Sequence, residues 1–346
     1  MPSLRAKLRA FPGVRPLSRT VRKMTVNYPK TAETLKMSHI YAQWWYYSVE
    51  LLPGVITRGQ YEDTFPFLPR TILRNCRLGN MDCLDLGSME GVIPILMARS
   101  GARRVLATDA FDHCREKIAA LQHYYGVSFE YQNVGLMYDL SKKLKRSFDL
   151  INCSGLLYHV FSPLMVLAGL RSLVKRNGLM IVSTNVVHSA DYLMEFNSEG
   201  RWQDEANTFW HMSVPLLDYM LRYLKLAPID CIYLPHENIQ SHVRYMSDKP
   251  SGYISIACRA VDEPVVTSAD SWMNKSARES WEYRGLIDWK RAAGNPVSRI
   301  EYDGNLERKC LRSDTGSMDL CRAINEITPV RMGGDATHVL RLGDRS

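Results

Sequence analysis

The sequence predicts an α/β fold in which a seven-stranded, mostly parallel sheet carries helices on both faces. Three observations predict it. Residues 76–260 alternate short apolar runs with helical patterns, as a parallel sheet with crossover helices requires. The first apolar run enters a glycine-bearing turn that opens a helix. The last two runs are joined by a loop without a crossover helix, so that pair is expected to be antiparallel.

The expected strands, in order, are Met81–Leu86, Arg104–Thr108, a weaker Phe129–Gln132, Phe148–Cys153, Leu179–Thr184, Asp230–Leu234 and Tyr253–Arg259. Together they describe a Rossmann-like sheet, a variant of the doubly wound nucleotide-binding fold. Around this domain at 76–260 lie three other regions. Residues 1–38 are a basic N-terminal arm, and 39–75 are an aromatic lid or subdomain containing Tyr41, Trp44, Trp45, Tyr46, Tyr47, Tyr61, Phe65 and Phe67. Residues 261–346 are a polar C-terminal extension with a helical pattern over Ala277–Ala292, expected as a substrate cap or a dimer contact.

The chain has 346 residues, with 44 Lys plus Arg against 36 Asp plus Glu, a net charge of +8. Eight of those cations fall in residues 1–30, before any acid, which leaves 36 cations against 36 acids in the rest. The whole surplus therefore sits in the arm. The arm reads as a solvated terminus, as a short amphipathic helix carrying Leu4, Leu8 and Phe11, or as an Arg-rich organellar presequence. No apolar run is long enough for a membrane span or a secretory signal. The eight cysteines are scattered singly, without Cys-x-x-Cys pairs or zinc spacing. They read as free buried thiols in a reducing compartment, so the expected location is cytoplasmic and no metal site is expected.

The chemistry-bearing signal is the first strand and its turn, Asp85-Leu86-Gly87-Ser88-Met89-Glu90-Gly91, followed by a helix from Val92. Pro94 falls in the first helical turn, where its missing N–H costs little. Asp109, 24 residues after Asp85, closes the second strand, where an acid accepts hydrogen bonds from ribose hydroxyls. The spacing is not the Gly-x-Gly-x-x-Gly dinucleotide fingerprint, and Met89 would crowd a pyrophosphate. An adenosyl ligand without phosphates fits better.

These residues resemble the class I S-adenosylmethionine (SAM)-dependent methyltransferases, most closely the branch of tRNA wobble-uridine carboxymethyl and methyl transferases. The resemblance covers about residues 40–260. It rests on Trp45-Tyr46-Tyr47-Ser48-Val49-Glu50-Leu51, the glycine turn, Ala107-Thr108-Asp109, and Ser154-Gly155-Leu156-Leu157-Tyr158-His159 followed by Ser162-Pro163-Leu164. Two departures stand out. Met89 occupies the family's middle glycine position, and the lysine that accompanies carboxy-SAM is missing before the glycine turn, so plain SAM is the expected cofactor. A resemblance at Arg244 to a substrate-handling arginine is weaker.

The resemblance implies that Asp85, Gly87, Ser88 and Gly91 line the methionine part of SAM and that Asp109 holds the ribose. Asn133 lies by the adenine, Ser154 and Gly155 by the sulfonium, and Tyr158 orients the carboxylate or faces the sulfonium. His159, about 100° further round a helix, is expected to point elsewhere. The catalytic candidates are Tyr158, His188 after the fifth strand, and His211 within Phe209-Trp210-His211. Residues 31–261 carry 23 cations and 22 acids, a balance that favours a small-molecule acceptor over nucleic acid. Transfer or cyclisation of another SAM carbon, releasing methylthioadenosine, a tRNA-modifying methyl transfer, and a non-catalytic SAM-binding module are the alternatives.

Overall fold

The computed structural model describes residues 27–59, 67–205, 207–238, 249–262, 285–304, 318–326 and 339–343. Most of the basic arm, Arg244 and the first half of the helical pattern at 277–292 lie outside the described residues.

Two short helices, α1 (Ala32–Lys36) and α2 (His39–Ala42), lead into a small hairpin of β1 (Glu50–Leu52) and β2 (Val55–Ile56), and then α3 (Phe67–Leu73). The main domain follows: β3 (Asp82–Leu86), α4 (Val92–Arg99), β4 (Arg104–Asp109), α5 (Arg115–Tyr125), β5 (Glu130–Asn133), α6 (Leu140–Lys143), β6 (Phe148–Ser154), α7 (Pro163–Arg171) and β7 (Val174–Val187). Strands β8 (Met194–Phe196) and β9 (Trp210–Ser213) precede α8 (Val214–Tyr223), β10 (Leu226–Pro235) and β11 (Ser251–Ala260). The described C-terminal helices are α9 (Trp289–Gly294) and α10 (Leu320–Glu326).

The sheet order is β10-β11-β7-β6-β3-β4-β5, so all seven expected strands form one sheet. β7, β6, β3, β4 and β5 run parallel, and β11 lies antiparallel between β7 and β10, with Tyr253 opposite Asn185 and Leu234. β8 and β9 were not expected. They are three and four residues long, too short for a readable alternation, and β9 is fixed by pairing with the end of β7 at Val186–Met212. Chain order reverses between β3 and β6, which makes the carboxyl ends of β3, β4 and β6 the place where such sheets bind ligands.

Successive strand residues feed opposite faces. Cys83, Leu150 and Ile181 join one core with α3, α4 and α5, while Leu84, Ile151 and Val182 join a second with α7, α8 and α10. Burial on both faces is why these strands read as continuous apolar runs. Six of the seven described cysteines are buried and all seven are free. The described C-terminal residues pack in more than one place: Ser298 Oγ donates to Asp149 Oδ1 at 2.6 Å and Tyr302 Oη to Asp230 Oδ2 at 2.6 Å, whereas the Leu340 carbonyl accepts from the Glu50 N–H at 2.9 Å and from Tyr125 Oη at 2.8 Å. No described helix is long and apolar enough to cross a membrane.

Candidate cofactor site and cavity

β3 delivers its chain into a turn with three left-handed residues, Gly87 (φ 66°), Met89 (φ 46°) and Gly91 (φ 89°). The outer two are glycines, which adopt this conformation freely. Met89 does so at a cost of about 1–2 kcal/mol, the ordinary penalty for a side chain in the left-handed region. Three bonds to β4 hold the turn. Ser88 bridges to β4, its N–H donating to the Thr108 carbonyl and its Oγ accepting the Thr108 N–H, both at 3.1 Å. The N–H of Met89 donates to Asp109 Oδ2 at 3.1 Å.

Asp109 also accepts at Oδ1 from the N–H groups of Ala110 and Phe111, at 2.7 and 3.3 Å. An ionised carboxylate has about four acceptor positions, so these three bonds leave capacity for a ligand hydroxyl. Asp85 is fully enclosed one strand away. Burial lifts its carboxyl from the usual acid range to about 7, opposed by hydrogen bonding to Ser88 and Asn152 and reinforced by the charge of Asp109. A polar line leads away from it. Asn152 Nδ2 donates to Asp85 Oδ1 at 2.7 Å, and Ser154 Oγ lies 2.7 Å from Asn152 Oδ1 and 2.9 Å from Ser183 Oγ.

A cavity of about 750 Å³ opens over this platform. Its inner wall is Gly87, Met89, Asp109, Ser154, Gly155 and Tyr158. Trp44, Tyr46 and Tyr47 cover one side, Phe111 and Leu136–Tyr138 another, and Asp204, Glu205, Asn207 and His159 stand at the far end. Gly155 has φ 69°, and a Cβ there would stand 3.5 Å from the Tyr158 hydroxyl and 3.7 Å from that of Tyr253. The backbone is therefore open to the cavity where two phenols converge.

Of the sequence candidates, Gly87, Asp109, Ser154, Gly155 and Tyr158 line this cavity, and Asp85 and Ser88 line a small cleft joined to it through Gly87 and Ser154. Gly91 lies behind the turn, against Phe129 and Ile118. Asn133 is exposed beside the site and off the cavity wall, its Oδ1 accepting the N–H of Gly135 at 2.8 Å. His188 and His211 are not on the wall either. His188 packs its ring 5.1 Å from that of Tyr233, and His211 is 1% exposed on β9.

His159, expected to turn away from Tyr158, lines the cavity beside it, with ring centroids 4.3 Å apart. The cause is local: Leu157–His159 is a single 3₁₀ turn rather than part of an α-helix. His159 Nδ1 lies 2.8 Å from the Asn207 carbonyl. A carbonyl only accepts, so Nδ1 carries the proton of the neutral ring and Nε2 is left as the base nitrogen. Burial holds its pKa below the usual imidazole value. Asp204, Glu205 and Asn207 had no signal in the sequence, because the loop that brings them back to Tyr158 is anchored by backbone contacts, including Phe209 N–H to the Tyr158 carbonyl at 2.7 Å.

A strand, a glycine turn and a helix, with an acid closing the next strand and a cavity walled by aromatics, define an adenosyl-cofactor transferase. Residues 60–227 match the family model described as "Methyltransferase domain". Ubiquinone biosynthesis O-methyltransferase of Neisseria meningitidis serogroup C is 27% identical over 180 residues, 49% of this chain and 71% of that protein. tRNA U34 carboxymethyltransferase of Desulforapulum autotrophicum is 26% identical over 149 residues, 43% of this chain and 45% of that protein, so the match spans less than half of that relative. Among solved structures, the N-terminal domain of EvdMO1 with SAH bound aligns with TM-score 0.48 and 18% identity, over 67% of this chain and 98% of that one.

Residues 60–227, just under half of the chain, are thus similar to methyltransferase domains, and the protein is a SAM-dependent transferase. SAM fits the residues present. Asp109 keeps acceptor capacity for a ligand hydroxyl, and Gly155 leaves free the space that a side chain would take up beside the Tyr158 and Tyr253 hydroxyls. Among the described residues there is no group of three His, Cys, Asp or Glu side chains able to hold a metal.

Proposed function

We propose that the protein transfers the SAM methyl group to a small-molecule acceptor. The observation that carries this reading is the composition of the cavity. It is one space of about 750 Å³, and its described lining contains Asp204 and Glu205 but no Lys or Arg. A polynucleotide acceptor calls for cations around its phosphates, so this lining favours a neutral or cationic small molecule over tRNA.

Bound SAM supplies an electrophilic methyl carbon on a sulfonium. The chain's own task is placement: Asp109 binds the ribose, the turn at 87–91 supports the methionine end, and Tyr158 sits next to Gly155 where the sulfonium is expected. Trp44, Tyr46 and Tyr47 exclude water from that side. Holding a nucleophile in line with the methyl carbon supplies much of the rate in such displacements. Where the acceptor must lose a proton, His159 Nε2 is the neutral base on the cavity wall.

The test is product analysis with pure protein. S-adenosylhomocysteine formed only when a small acceptor is added supports the reading. Methylthioadenosine formed from SAM alone would replace it with transfer or cyclisation of another SAM carbon, and methylation of unmodified tRNA would replace it with a nucleic-acid substrate.

A further inference from the structure

Glu90 and Lys117 form an ion pair with no part in the cofactor contacts above. Both side chains are buried, at 0% and 4% exposure, with Lys117 Nζ 2.8 Å from Glu90 Oε1. The pair reaches the aromatic segment. Lys117 Nζ donates to the Trp44 carbonyl at 3.0 Å, and Glu90 Oε1 accepts the N–H of Tyr46 at 2.8 Å. The ammonium also lies 5.5 Å from the ring centroid of Trp44 and 5.6 Å from that of Trp45. Trp44 and Tyr46 wall the cavity on one side of the pair, and Met89, next to Glu90, walls it on the other.

A buried ion pair is a poor device for stability alone, because desolvating two charges offsets their attraction. Here the second carboxylate oxygen, Glu90 Oε2, is buried without a hydrogen-bond partner, which adds to the cost. What the pair supplies is direction. One bond to the carbonyl of residue 44 and one to the N–H of residue 46 fix the path of that segment against the glycine turn, which apolar packing of Trp45 does not specify.

We propose that Glu90 and Lys117 are positioning residues, an ionic latch that holds segment 44–47 against the glycine turn and so shapes the outer wall of the SAM cavity. The inference rests on the SAM reading of that cavity and is independent of the acceptor. The Tyr46 amide, bonded to Glu90, is a direct reporter.

The experiment is hydrogen exchange of a peptide covering residues 43–50 in the full chain, with calorimetric titration of S-adenosylhomocysteine. The double variant Glu90→Gln/Lys117→Met removes both charges, so neither is left buried and unpaired. Leu121→Ala, on the same helix α5, is the control, lowering stability by a core cavity. In the double variant, exchange at 43–50 is expected to quicken by about tenfold, a local opening, while β3 keeps its protection. The dissociation constant for S-adenosylhomocysteine is expected to rise several-fold, and Leu121→Ala leaves both unchanged. Wild-type exchange in a folded double variant, or the same change in Leu121→Ala, would overturn the latch. Wild type gives a second reading: residues 43–50 are protected before cofactor is added, and exchange at the unprotected rate also overturns the proposal. S-adenosylhomocysteine failing to bind wild type at all would instead overturn the cofactor reading and leave the exchange result standing.

Discussion

The backbone N–H of Met89 donates to Asp109 Oδ2 at 3.1 Å, so one carboxylate both holds the glycine turn in its left-handed form and faces the cavity. On the proposed reading, Asp109→Ala removes the ribose acceptor and releases the turn together. Hydrogen bonds to a charged group contribute about 1.5–3 kcal/mol, so affinity for SAM is expected to fall by roughly 10- to 100-fold. Calorimetry measures it directly, and an unchanged affinity would move the cofactor away from β4.

Gly91 tests the turn without touching the cavity. It takes φ 89° at the start of α4, and an added Cβ would stand 3.3 Å from Phe129 Cζ. Gly91→Ala therefore combines left-handed strain of about 1–2 kcal/mol with a tight core contact. Thermal unfolding is expected to shift down by roughly 2–4 °C for each kcal/mol in a domain of this size. A midpoint equal to wild type would mean that the turn relaxes to another path.

Asp85 carries a pH signature. Burial raises its folded pKa to about 7 from the ordinary carboxylate value of 3.8, so between those values the native state holds a proton that the unfolded chain has lost. That contribution to stability is complete below about pH 4 and disappears as pH rises through about 7. Asp85→Asn cannot titrate. The stability of the variant minus that of wild type is expected to grow between pH 4 and 7, by up to about 1.4 kcal/mol per unit, and to be flat outside that window. Denaturant unfolding at fixed ionic strength measures the difference, and a pH-independent difference would mean that Asp85 is ionised in the fold.

The sheet and the glycine turn were legible because each rests on a local rule. Apolar strands buried on both faces account for six of the seven main strands, β5 being a largely exposed edge strand, and the missing crossover helix accounts for the antiparallel β10–β11 pair. Gly87, Gly91 and Asp109 follow from strand–turn–helix spacing. The rest depends on contacts distant in sequence. β9 exists because the end of β7 pairs with it, Asp204 and Glu205 reach the cavity through the return of their loop to Tyr158, and the Glu90–Lys117 pair joins two elements 27 residues apart. His159 was misdirected for a different reason, since α-helical geometry was assumed where the chain makes one 3₁₀ turn.

His211 is the clearest case of a chemically suggestive residue in an unreactive setting. It is 1% exposed on β9, neither ring nitrogen has a hydrogen-bond partner, and burial lowers its pKa to about 4. A buried polar group left unpaired costs about 1–3 kcal/mol, so a similar-sized apolar side chain is expected to be better tolerated there. His211→Leu should raise stability by about 1 kcal/mol at neutral pH. The gain should be larger at pH 5, where the unfolded histidine binds a proton that the folded one does not; the contribution is lost as pH falls from about 6.5 toward 4. Turnover with an identified acceptor is expected to stay within about twofold of wild type, because the ring is not on the cavity wall. Loss of turnover with S-adenosylhomocysteine affinity intact would return His211 to the catalytic machinery and require the cavity wall to open toward β9.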